Sequence, residues 1–100
     1  MTGNIFEEFV NDILEVGGPE KEFVFRGRMY FLETMYRQEK GLLELYIDEW
    51  DGLEDGAECL CTYSFWGKDF AECFRRFAAH KIFDGLNIYE AESEIEVLYG

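Results

Sequence analysis

Basic residues are scarce in this chain. Nine lysines and arginines stand against 22 aspartates and glutamates, for a net charge of −13 at pH 7 over 100 residues. Phosphate binding needs a basic patch, so this balance argues against a direct grip on nucleic acid or on an anionic lipid surface. Long apolar runs are also missing: no segment approaches the roughly 18 residues a membrane span requires. The opening MTGNIFEEFVND lacks a basic n-region and carries two early glutamates, unlike a signal peptide. Cysteine is limited to three, an odd number that fits a reducing cytosol better than a secreted disulfide framework. There is one proline and one histidine.

Apolar residues are plentiful, at 48% with 18% aromatic, which is enough to build one core in a chain of this length. Ile5, Phe6, Phe9, Val10, Ile13 and Leu14 recur at helical spacing and predict a helix over 4–16, with Thr2 or Asn4 as N-cap and Gly17-Gly18 and Pro19 as the stop. Four runs rich in aromatic and β-branched residues follow: 23–25, 29–36, 42–50 and 57–65. The turns between them, at Arg26-Gly27-Arg28, at 38–41 and at Asp51-Gly52 and Asp55-Gly56, are too short for parallel crossovers and predict an antiparallel meander. In the third strand, Leu43, Leu45 and Ile47 face one side and Leu42, Tyr46 and Trp50 the other, so one face is expected under helices and the other against a partner. From Lys68 the period turns helical, with Phe70, Cys73, Phe74, Phe77 and Ala78 on one stripe. Asn87 caps a predicted last helix over 88–98, with Ile88, Ala91, Ile95 and Leu98 inside. The expectation is a single α+β domain over 1–100: an N-terminal helix, a four-stranded meander and two C-terminal helices packed on the sheet.

Charge is unevenly placed. Asp48, Glu49, Asp51, Glu54, Asp55 and Glu58 crowd into eleven residues with no cation among them, and Glu90, Glu92, Glu94 and Glu96 line the predicted last helix. On that helix Glu90/Glu94 and Glu92/Glu96 would be like-charge i,i+4 pairs, and Glu94 and Glu96 would sit at the wrong end of the macrodipole. Two readings stand side by side: a solvated face that keeps the chain soluble, or an anionic surface made for a cationic groove.

Catalytic signals are poor. His80 has no evident oxyanion cradle or tuned carboxylate pair around it, and no glycine-rich phosphate loop is present. The chain is therefore expected not to be an enzyme. Cys59 and Cys61, two apart on a strand, are expected to share a face, and with Cys73 and His80 could complete a tetrahedral zinc site. Their spacing lacks the tight knuckles of zinc fingers, and the simpler expectation is three small buried apolar groups between strand and helix, with no cofactor.

Three stretches, FVFRGRMYFLE around Gly27, AECFRRFAAHKIFDG and IYEAESEIEVLYG, resemble small acidic proteins encoded by phages and mobile elements of Gram-positive bacteria, some of which inhibit host defence, anti-CRISPR proteins included. The resemblance spans about residues 23–100 and carries no catalytic motif. It implies a non-enzymatic inhibitor in the bacterial cytoplasm, monomer or homodimer, that presents carboxylates to the basic surface of a nucleic-acid enzyme such as a CRISPR effector nuclease. The contact would be the two acidic blocks, with Tyr46, Trp50 and Tyr89 as aromatic anchors. The alternatives are a small phage adaptor whose charge serves solubility only, and a zinc-stabilised binding module.

Overall fold

A computed structural model describes residues 1–16 and 20–100, so the proposed stop at Gly17-Gly18-Pro19 lies outside the described residues. Helix α1 (Phe6–Asn11) continues into a π-helical turn, Asp12–Val16. Neither expected cap serves it. Ile5 holds the N-cap position without a side-chain bond, Asn4 Nδ2 donates to Gly100 O, and Thr2 pairs with a strand.

Strands β1 (Lys21–Phe25), β2 (Arg28–Arg37), β3 (Leu42–Trp50) and β4 (Cys59–Gly67) form the expected meander. β1 and β2 are joined by two residues, Arg26 (φ 49°) and Gly27 (φ 76°), both left-handed, which is the turn whose twist matches a tight hairpin. Helix α2 (Phe70–Ala79) follows, capped by Asp69, whose side chain accepts from Glu72 N. A buried Gly67 lets β4 meet α2: a Cβ there would lie 2.9 Å from Cys73 N.

The predicted last helix is corrected. A short helix α3 (Ile88–Ala91) and a 3-10 turn (Glu92–Glu94) give way to a fifth strand, β5 (Ile95–Tyr99). Asn87 and Glu90 cap α3 reciprocally, as the sequence predicts for Asn87. Continuing as helix would stack Glu90 on Glu94 and Glu92 on Glu96, whereas an extended Ile95-Glu96-Val97 alternates buried and exposed. Leu98, expected inside, is exposed, and Val97 is buried instead. β5 pairs antiparallel with β1, so the sheet order is β4-β3-β2-β1-β5. The outer side of β5 is bridged by Thr2, which donates its N–H to Ile95 O and accepts from Val97 N.

The core lies between one face of this sheet and the helices. Phe23, Phe25, Tyr30, Leu32, Leu45, Ile47, Phe65, Ile95 and Val97 point into it from the strands, against Phe9 and Ile13, Cys73, Phe74 and Phe77, and Ile88 and Ala91. Phe83, in the turn between α2 and α3, is fully buried, with its ring 5.0 Å from Tyr30, 5.6 Å from Phe25, 6.1 Å from Phe23 and 6.2 Å from Phe77. No helix of the described residues is long and apolar enough to cross a membrane.

Candidate protein-binding face

Strand alternation sends every second side chain to the other side of the sheet, away from the core. The register aligns Glu22, Phe31, Asp48 and Thr62 in one transverse row, and Glu96, Val24, Met29 and Trp50 in the next. Further along come Glu33, Tyr46 and Ser64, then Met35, Glu44 and Trp66. The face thus interleaves aromatic or apolar side chains with carboxylates.

At one end of the face the chain supplies its own cations. Arg37 Nε donates to Glu44 Oε1 at 2.8 Å and its guanidinium lies 5.9 Å from the Tyr46 ring centre, while Lys40 Nζ lies 4.6 Å from that of Trp66. Burial works against ionising Glu44, but hydrogen bonds from Ser64 and Arg37 outweigh it and hold the carboxyl below its ordinary value. Burial first, and then donation to Glu33 at 2.6 Å, push Tyr46 up to about 12.

At the other end the loop over 51–58 borders the face, closed by Asp51 N donating to Glu58 O and Ala57 N to Glu54 O. Between loop and sheet lies a pocket of about 390 Å³, whose walls include Glu22, Phe31, Asp48, Trp50, Leu53, Glu54 and Asp55.

The two acidic blocks expected to form one contact are separated by the fold. Asp48, Trp50 and Tyr46 lie on the open face, and Asp51, Glu54, Asp55 and Glu58 are exposed in the adjoining loop. Glu49 does not join them. It shares the parity of Leu45 and Ile47, is 5% exposed, and accepts from Arg28 Nη1 at 3.0 Å on the opposite side. In the second block only Glu96 reaches the open face, beside Val24. Glu94 accepts from Arg26 Nε and Nη2 at 3.0 and 2.8 Å, Glu92 accepts from the Met1 amine, and Glu90 closes the α3 cap. The hydrogen bonds from Arg26 hold Glu94 below its ordinary pKa, and those from Arg28 do the same for Asp84. Tyr89, expected as an exposed anchor, is exposed but on the helix side of the sheet, edge-on to Phe6 and Phe74.

Sequence reasoning missed Glu22, Glu33 and Glu44, and with them Met29, Phe31 and Leu53. The alternation of β1 and β2 was the available signal: Glu22 and Val24, and Phe31, Glu33 and Met35, fall on one parity.

The cysteine expectations need revision. A bulge in the β3–β4 ladder sets Cys59 opposite Trp50 and Cys61 opposite Glu49, residues of opposite faces, so the two thiols do not share one. Cys73 alone is buried, donating to Leu43 O, and burial pushes its thiol up; Cys59 is exposed and Cys61 partly so. His80 packs edge-on to Phe65 with its Nδ1 2.9 Å from Arg76 O. Among the described residues no three His, Cys, Asp or Glu side chains are grouped as a metal ion would require.

No protein-family model, curated protein or solved structure matches the chain.

Proposed function

We propose that the chain is a non-enzymatic inhibitor that covers a basic, nucleic-acid-binding surface of another protein, in the manner of the anti-CRISPR proteins it resembles, with the helix-free sheet face and the 51–58 loop as its contact. One observation carries this reading. The face and loop concentrate Glu22, Glu33, Asp48, Glu96, Asp51, Glu54, Asp55 and Glu58, while Arg37 and Lys40 are gathered at the far end of the face against Glu44 and Trp66. Such an array speeds encounter with a positive groove and disfavours anionic partners.

The test uses a CRISPR effector nuclease with its guide, assayed for target DNA binding with and without the chain. Displacement of DNA is expected at a stoichiometric ratio, with an association rate that falls steeply with salt. Glu54→Lys with Asp55→Lys should reduce association at least tenfold, while Lys68→Glu with Arg75→Glu, on α2 and just before it, should change it little. Acidic reversals that bind as the parent does would refute the reading. A second reading, an adaptor docking through apolar contacts, is favoured by the exposure of Leu53, Leu60 and Leu98. It predicts binding that is insensitive to salt and lost with Leu53→Ser.

A further inference from the structure

The open face uses one arrangement twice and fills it once. At the Arg37 end, an arginine of the chain lies over an aromatic ring, Tyr46, while its Nε is held by a carboxylate, Glu44. At the opposite end, Trp50 and Phe31 line a pocket together with Glu22, Asp48, Glu54 and Asp55, so the aromatic surface and the carboxylates are again side by side. No lysine, arginine or histidine lines this second site. Each cation–π contact of the described residues engages another ring: Phe9, Phe25, Tyr46 or Trp66. The nearby cations of the β1–β2 turn are engaged elsewhere, Arg26 with Glu94 and Asp84, Arg28 with Glu49 and Asp84.

We infer that this pocket receives one arginine side chain from a protein partner. The deduction rests on the function proposed above and names the point at which the partner would be anchored. A guanidinium suits the site for three reasons. Its plane stacks on an indole or phenyl face, it is weakly hydrated, and its fork of donors satisfies carboxylates from more than one direction. Asp48 already accepts from Thr62 Oγ1 at 2.6 Å, which leaves its second oxygen for an incoming donor. At about 390 Å³ the pocket has room for one long side chain. Carboxylates from β1, β3 and the loop converge on it, so a bound cation would fasten the loop to the sheet.

The test is a titration of the intact chain with N-acetyl-arginine amide, followed by the indole N–H signal of Trp50 and the methyl signals of Leu53 in NMR. Its neutral isostere, N-acetyl-citrulline amide, and N-acetyl-lysine amide serve as the other arms. Saturable shifts confined to Trp50, Leu53 and their neighbours are expected with arginine, at millimolar affinity, at least tenfold weaker with lysine and undetectable with citrulline. Trp50→Leu should abolish the response. Because Trp50 contributes to the sheet, Glu54→Gln with Asp55→Asn, both in the exposed loop, gives an independent variant expected to weaken binding at least fivefold. Equal shifts from citrulline, equal affinity for lysine, or an unsaturable response spread over all carboxylates would overturn the inference. The nuclease assay separates the two claims. Inhibition retained by Trp50→Leu, with no arginine binding, leaves the acidic face as inhibitor and removes the pocket; arginine binding without inhibition keeps the pocket and removes the inhibitor.

Discussion

Replacing Phe83 with alanine should remove a large share of the stability of the domain. Phe83 belongs to no helix or strand, yet it is fully buried and its ring contacts four other aromatic rings from three elements, β1, β2 and α2. Its turn is held by reciprocal hydrogen bonds with Leu86 at 3.0 and 2.9 Å, so the backbone has little freedom to collapse into the space left behind. A Phe→Ala change in a core costs about 3–5 kcal/mol, and the rigid surroundings place this site toward the upper end. For a domain of this length, whose total stability is on the order of 5–15 kcal/mol, such a loss lowers Tm by about 15–30 °C. Urea unfolding followed by tryptophan fluorescence measures it, with Phe83→Leu expected to lose about 1–2 kcal/mol. Tyr36→Ala, at an exposed position of β2, is the control and should stay within about 0.5 kcal/mol of the parent. A loss below about 1 kcal/mol for Phe83→Ala would mean that the ring does not join the sheet to the helices.

Two further expectations concern charge. Arg28→Met leaves Glu49 buried without its partner and also releases Asp84, and should cost about 3 kcal/mol, at the low end for a broken buried pair because Arg28 is itself partly exposed; adding Glu49→Leu should recover the part owed to the stranded Glu49, and a double variant worse than the single one would refute the pairing. Acid should destabilise through Asp84 and Glu94: hydrogen bonds from Arg28 and Arg26 lower both in the folded state, so their contribution is complete above about pH 5 and is lost as pH falls through the folded values. Denaturation at pH 5 and pH 3 should therefore show a smaller loss for Asp84→Asn with Glu94→Gln than for the parent, and equal losses would contradict the assignment.

The sequence was most legible where the signals were local. The stripe Cys73, Phe74 and Phe77 marks α2, Gly27 marks the first hairpin, and β3 runs over the residues its turns delimit. It misled where two periods share residues. Ile88, Ala91 and Ile95 fit a helix, and only the partner strand β1, more than sixty residues earlier, makes the extended alternative after Glu94 the better one. The carboxylates gave warning, since a helix holding Glu90 with Glu94 and Glu92 with Glu96 carries repulsion that a strand does not. The same holds for the site. Parity alone assigns Glu49 to the buried face with Leu45 and Ile47, whereas the meeting of Glu22 with Asp55 in one pocket depends on how β1 and the 51–58 loop are brought together in space.

The bridge from Thr2 to β5 bears on how the molecule behaves when crowded. Residues Ile95 and Val97 already exchange hydrogen bonds with Thr2 on their outer side, whereas β4, at the other end of the sheet, has no strand beyond it among the described residues. A sheet closed at one margin and open at the other can be extended in a single direction. Two copies meeting β4 to β4 would use up both open margins at once, giving a finite pair and no template for a third. At high concentration, pairing through these margins would stop at two copies.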